Sequence, residues 1–421
     1  MGSMANSGAA NLAVGRISSR RSAEDYLSIH NYIPFAVLYF FLNSVGLPVG
    51  LFYTTLFSPL LYLWLYLKGC RWLTAKFLLI LSPFLLAHAC LGIPSPFYYA
   101  RSLLLLWSVY ITVYAFGWAL LKCKSIERLF EELIVVNFFA AMAALILVPT
   151  PLSTYLWNSN FTALAEGVGY TRRLQLLTSE PSVYSSLMVP LLVFAVLRLL
   201  QKPGKRSFVY TALILVPMLL SQSFGALSIC TAGLAAALLP MFRRLLRKPK
   251  SLLVLGLIGI LMAGLLFVPN PISQRVSSVI AGDDSSTQSR TVFSFILANA
   301  IATSTSIWWG AGLGQAKLFD VSNLGIGFTV SVIPNAVAGT FAEFGIIGVL
   351  VRFAVEFYLF FRTRVYRNSF RLAMFVVAFI MQLTGSNVMD VQEYLIMFFA
   401  FAPLFPALNP QNRVPSNTGR L

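Results

Sequence analysis

The chain has 421 residues, of which 58% are hydrophobic and only 11% charged, with a formal net charge of +17. A soluble domain carries roughly 25% charged residues, so this composition excludes one. On so apolar a chain the positive excess marks membrane topology and calls for no nucleic-acid partner.

The first 30 residues are polar and predict a cytoplasmic tail, with Met1–Ser3 reading as an expression remnant ahead of a natural Met4. No cleavable signal peptide is visible. About twelve apolar stretches follow, near the ~20 residues that cross a ~30 Å hydrocarbon core as a helix. They are 31–46, 50–67, 73–93, 98–121, 133–149, 182–200, 207–221, 225–242, 251–268, 338–361, 372–388 and 394–408. They rarely alternate as porin strands do, and helices are the other way to satisfy the backbone inside lipid. The expected fold is all-α, a polytopic bundle forming one integral membrane domain over 31–408, with a cytoplasmic tail over 409–421.

Lysine and arginine fall on alternate connections, which sets the predicted orientation because positive loops stay cytoplasmic. Of the 31 basic residues, only Arg101, Arg172, Arg173, Arg275, Arg290 and Lys317 fall on the outer side, and Arg352 falls in the inner half of its span. Both termini are therefore expected in the cytoplasm. Connections are short except at about 150–181 and 269–338, and long loops in a compact protein are usually functional or disordered. These two are rich in apolar and aromatic residues, from Tyr155 to Leu177 and from Val292 to Trp309. That density predicts short helices lying on the outer surface. Asn160-Phe161-Thr162 fits a glycosylation acceptor, relevant only in a secretory-pathway organism.

Cys70, Cys90, Cys123 and Cys230 lack metal-ligand spacing and lie in spans or on the inner face, so neither zinc nor disulfides are expected. His30 and His88 each stand alone in the sequence, which argues against a ligand role for either. No internal repeat is evident, which weakens a transporter reading. The outer acids, Glu166, Glu180, Asp283, Asp284, Asp320, Glu343, Asp390 and Glu393, form no convincing metal cluster, and no cofactor is expected.

Candidate chemistry concentrates in the long outer loops. Arg172, Arg173, Arg275 and Arg290 suit a lipid-linked pyrophosphate, since guanidinium binds phosphate oxygens bidentately; the alternative is contact with headgroups or neighbouring acids. Glu180 precedes Pro181 at a helix start. It is either a general base at the dry edge of a cavity or a cap for backbone N–H groups. Gly310-Ala311-Gly312-Leu313-Gly314 lacks the Lys-Ser/Thr ending of a nucleotide loop but permits close backbone approach to a ligand. Trp308 and Trp309 before it read as interface anchors ahead of sugar platforms.

Over roughly residues 172–352 the chain resembles the O-antigen polymerase and ligase superfamily. The resemblance rests on an arginine-bearing outer loop, Ser289-Arg290, Trp309-Gly310-Ala311-Gly312-Leu313-Gly314, Pro334-Asn335-Ala336-Val337 and Glu343-Phe344-Gly345-Ile346-Ile347-Gly348, in that order. Glu180-Pro181 is similar to the Glu-Pro pair of exopolysaccharide polymerases in the group. Two departures stand out: Pro334 replaces the histidine that family ligases carry before the asparagine, and Phe224 follows Ser223 where ligases carry arginine. Both favour a polymerase over a lipopolysaccharide ligase.

The resemblance implies a membrane-embedded, GT-C-like glycosyltransferase of the bacterial inner membrane, with its active site on the periplasmic face. It would pass a growing glycan from undecaprenyl pyrophosphate to a lipid-linked repeat unit. Arg290 and Glu180 would be catalytic, Arg172, Arg173 and Arg275 would join Arg290 on the pyrophosphate, and Gly312, Gly314 and Asn335 would line the glycan path. Expected partners are the lipid-linked oligosaccharide, membrane lipid, and the chain-length regulator and flippase of the same pathway. The alternatives are a ligase delivering glycan to another acceptor, a lipid-linked oligosaccharide flippase, and, third, a membrane scaffold.

Overall fold

The computed structural model describes residues 46–47, 51–123, 125–158, 172–178, 180–241, 252, 253, 256, 259, 277–278, 281–319 and 333–405. They are mostly helical, and six of their helices are long and apolar enough to cross a membrane. In chain order the longer helices are α1 (Tyr53–Leu67), α2 (Leu73–Leu91), α3 (Pro96–Leu121), α4 (Ile126–Ile146), α5 (Pro181–Gln201) and α6 (Lys205–Ser221). There follow α7 (Phe224–Leu238), α8 (Ser294–Ser304), α9 (Ala336–Arg362), α10 (Ser369–Thr384) and α11 (Val391–Phe401). The six are α2, α3, α4, α5, α9 and α7 extended to Met241, whereas α1, α10 and α11 are shorter apolar helices. Both tails and almost all of the expected spans 31–46 and 251–268 lie outside the described residues, as do His30, Arg275, Asp320 and the Asn160 motif.

Helix starts follow the chemistry of their caps. Ser95 accepts from Tyr98 N with Pro96 opening α3, Ser223 caps α7, Asn335 caps α9 and Asn368 caps α10. At α4 the apolar pattern misplaces the start by a full turn and more: the span is expected from 133, but the helix begins at Ile126. The reason is Ser125, which accepts from Arg128 N, and the exposed Arg128–Glu132 pair at 2.7 Å, which carry the helix beyond its apolar part.

The 150–181 region also differs from expectation. Its described part holds only one helical turn, Ser153–Leu156, and then a two-stranded antiparallel pair, β1 (Trp157–Asn158) against β2 (Arg173–Leu174). Trp157 is buried and donates to Ala144 O at 2.9 Å, so its indole anchors the pair to α4 and supplies a reason to extend the chain there. In the second loop the apolar segment does form a helix, α8, entered through a π-helical turn, Ser289–Phe293.

The bundle is organised around α5, which contacts α4, α6, α7 and α10. Its wall includes a nest of aromatic edges: Phe130, Phe194, Phe370, Phe399 and Phe405 meet at centroid distances from 4.6 to 6.3 Å. Inside lipid the hydrophobic effect does not draw helices together, so this close packing and interhelical hydrogen bonds must. At one end Glu131 of α4 pairs with both Arg198 of α5 and Arg206 of α6. Near the same end of α10, the buried Arg371 donates to Ala400 O, Phe401 O and the Thr363 hydroxyl, satisfying carbonyls at the end of α11.

Candidate functional site

The glycine run predicted from sequence is built into a break in α9. Gly345 has φ 67 and ψ −167, which interrupts the helix one third of the way along. A continuous helix would join Ile346 N to Ala342 O and Ile347 N to Glu343 O. Here those four groups are taken by the incoming segment instead: Ile346 N donates to Ile307 O (2.9 Å) and Ile347 N to Trp308 O (3.2 Å). In return Ala311 N donates to Ala342 O (2.8 Å) and Gly312 N to Glu343 O (3.0 Å). These four backbone groups are therefore re-paired within the protein, the condition for non-helical backbone in a helix that crosses a membrane.

Two glycines make that approach possible. A side chain on Gly345 would collide with the Trp308 carbonyl, and one on Gly310 would meet the Glu343 backbone. Both residues also have positive φ, so substitution there is strained as well as crowded. Gly314 lies similarly against Ser102 and the Tyr98 carbonyl of α3, and Gly312 lies against the Tyr99 ring. The two glycines assigned to the glycan path are thus packed between α3 and α9.

Side chains lock the same segment. Gln315 is fully buried, with Oε1 accepting from Ser95 N and Nε2 donating to Ser95 O. His88 of α2, solitary in sequence, is buried and has partners on both nitrogens: Nε2 lies 2.9 Å from Trp309 O and Nδ1 lies 2.9 Å from the Tyr99 hydroxyl. A carbonyl only accepts, so Nε2 carries a proton and, in the neutral ring, Nδ1 accepts from Tyr99. Glu343 Oε1 accepts from Gly314 N at 3.0 Å, while its buried Oε2 has no hydrogen-bond partner among the described residues. Lys317, just beyond the run, has its ammonium pKa lowered by desolvation and then by Arg101, with Glu343 opposing.

Arg290 and Asn335, 45 residues apart in the chain, are brought together. Arg290 sits in the π-helical turn, half-buried, and its carbonyl accepts from Asn335 Nδ2 at 3.0 Å. The same amide donates to Leu383 O at 2.6 Å, and Asn335 Oδ1 accepts from Ala338 N at 2.9 Å. Asn335 is fully buried, so it staples the turn, the end of α10 and the start of α9. The Arg290 guanidinium passes over Gly385, where an added Cβ would lie 3.2 Å from Nη1. Among the described residues the guanidinium itself has no hydrogen-bonding or ionic partner.

Arg172, Arg173 and Glu180 form a second group around β2 and the start of α5. Arg172, exposed, donates to Val148 O at 3.0 Å, and Arg173 Nε donates to Ser221 O at 3.1 Å. Glu180 is exposed and occupies the N-cap position of α5, yet its carboxylate caps no backbone N–H; it accepts from the Ser182 hydroxyl at 2.9 Å. The π-helical turn and α5 both contact α10, which links the two groups.

Sequence reasoning missed the charged cluster beneath Arg290. It placed Glu343 and Glu393 among the outer acids and read Arg352 for topology, but Glu343 and Glu356 lie in α9 with Arg352, and Glu393 lies fully buried in the first turn of α11. Arg352 pairs with Glu393 and, at 3.3 Å, with Glu356; it donates to Gln382 Oε1 (2.8 Å) and the Thr340 hydroxyl (3.2 Å). Gln382 Nε2 donates to Glu356 Oε2 at 3.0 Å, and the Ser386 hydroxyl donates to Glu393. The signal was present as Arg352 and Glu356, four residues apart on one apolar helix. Ionisable side chains in helices apolar enough to cross a membrane are expensive there and mark functional positions by default. Beside them α2, α3, α9 and α11 enclose a cleft of about 720 Å³, its walls almost wholly apolar.

No protein-family model matches the chain, and no curated protein matches it.

Proposed function

We propose that this protein is a bacterial polysaccharide polymerase of the inner membrane, acting on its outer face without a metal. The observation that carries the reading is Arg290: a half-buried guanidinium with no hydrogen-bonding or ionic partner among the described residues, held at its backbone by Asn335. An arginine in that state keeps its charge and presents a planar fork of donors, which suits a phosphate oxygen pair. The donor would be a growing glycan on undecaprenyl pyrophosphate. A hydroxyl of a second lipid-linked repeat unit would attack the anomeric carbon, the bond to pyrophosphate would break, and Arg290 would stabilise the charge on the leaving group. Arg172, Arg173 and Arg275 would assist on the pyrophosphate, and Glu180 would take or orient the acceptor proton. Its carboxylate is exposed and does not cap α5, which leaves it available for that role.

One observation favours a second reading. Arg352 and Glu356 line the apolar cleft, and charges facing a cavity would mark a flippase. Those charges already satisfy one another through Gln382 and Glu393, so they offer little to a polar cargo, and the transferase reading ranks first.

Purified protein supplied with lipid-linked repeat units separates the classes by its products on a gel. A ladder supports the polymerase. Single transfer to another acceptor means a ligase, and lipid translocation without bond formation means a transporter.

A further inference from the structure

Residues 382–386, which end α10 and lead towards α11, are gripped from two sides. On one side Asn335 takes Leu383 O, and the Arg290 guanidinium lies on Gly385. On the other, Gln382 and Ser386 are tied to the buried cluster: Gln382 accepts from Arg352 and donates to Glu356, and Ser386 donates to Glu393, which pairs with Arg352. Arg352 thus stands two contacts away from the surface that supports Arg290. Helices in lipid can be joined by apolar packing alone, and burying a charge pair costs desolvation that its attraction scarcely repays. A cluster of two acids, one arginine and three neutral hydrogen-bonding groups fixes geometry more narrowly than such packing does.

We infer that Arg352 is a positioning residue: through Glu393 and Ser386 it holds the turn at Gly385 in the one place where the Arg290 guanidinium can rest and face a phosphate. The inference deepens the donor-site reading above and depends on it. Arg352 touches no substrate; it acts on Arg290 through the turn.

The test is equilibrium binding of undecaprenyl pyrophosphate to the full-length protein in detergent, for wild type, Ser386→Ala, Arg290→Ala and the double variant. Ser386→Ala removes the bond to Glu393, together with one to Met381 O (3.2 Å), and leaves the Arg352–Glu393 pair in place. It is expected to weaken binding about tenfold in the wild-type background and not at all in the Arg290→Ala background, because residues in one network couple. Amide exchange at residues 383–387 should quicken in Ser386→Ala. Arg352→Lys, which keeps the charge but cannot reach all its acceptors, should show the same coupling to Arg290. Wild-type affinity in Ser386→Ala, or an equal loss in both backgrounds, overturns the positioning role while leaving the donor site intact. Wild-type affinity in Arg290→Ala overturns the donor-site reading, and this inference with it.

Discussion

Helices α5 and α9 are both apolar and longer than twenty residues, yet 83% of the apolar window of α5 is buried inside the protein against 22% for α9. The hub helix is buried nearly all round and is dominated by aliphatic and aromatic side chains from Leu187 to Leu200. The other exposes Leu350, Val351, Val355, Phe357, Tyr358 and Phe361, and beside small apolar residues from Ala336 to Ala342 it buries a glycine break and Glu356, with a buried capping asparagine at its start. Packing in α5 is distributed over many interchangeable contacts. In α9 it depends on a few groups with no substitute, which predicts that the two helices fail in different ways.

The largest effect is expected at the break. Gly345→Ala forces a non-glycine residue to φ 67 and drives a methyl group into the Trp308 carbonyl. Strain at the backbone alone costs about 1–3 kcal/mol, and the collision adds to it. The variant should lose most of its monodisperse, detergent-stable population on gel filtration; wild-type yield and melting would mean that the wedge can leave at little cost. Next in size is Arg352→Met, which strands Glu356 and Glu393 in the interior at about 3–5 kcal/mol. Adding Glu393→Gln and Glu356→Gln should restore much of the loss, as read by thermal unfolding, whereas a fully additive triple variant would contradict the network. In α5, Phe194→Leu keeps an apolar side chain among many neighbours and should cost less than about 1.5 kcal/mol. A collapse there would erase the contrast between the helices.

The smallest expected effect concerns the cap of α11. Asp390 accepts from Gln392 N, and burial, reinforced by Glu393, pushes its carboxyl up from 3.8 to about 7. Between those values the folded chain holds a proton that the unfolded chain has lost, so stability from this group falls as pH rises towards 7. Asp390→Asn keeps the capping oxygen and should flatten that slope in melting curves between pH 5 and 7.5. An unchanged slope would assign it to other groups.

Much of the architecture is legible in the sequence because length and hydropathy constrain a membrane helix so strongly. α2, α3, α5, α6 and α9 begin and end within a few residues of the apolar stretches that predict them. The α4 start is not, since a cap and ion pair extend it past its apolar part. Of the site, the order of the Arg290 and Asn335 motifs was legible but their contact was not; nothing in residue spacing says that one amide would hold both the Arg290 and Leu383 carbonyls. His88 was illegible because its partners, Tyr99 and the Trp309 carbonyl, become neighbours only when the glycine run enters the α9 break. Sparse charges in apolar segments were read for topology alone, which hid Arg352, Glu356 and Glu393 as a cluster.

The central claim is that Arg290 contacts the donor phosphate in a glycan-transferring enzyme, and the most direct measurement is product length and turnover with lipid-linked repeat units for wild type, Arg290→Lys and Arg290→Ala. The account predicts a ladder from wild type, a large loss for lysine, which keeps the charge but not the planar fork, and a larger loss for alanine, all with normal membrane insertion. A native-length ladder at native rate from Arg290→Ala would contradict it.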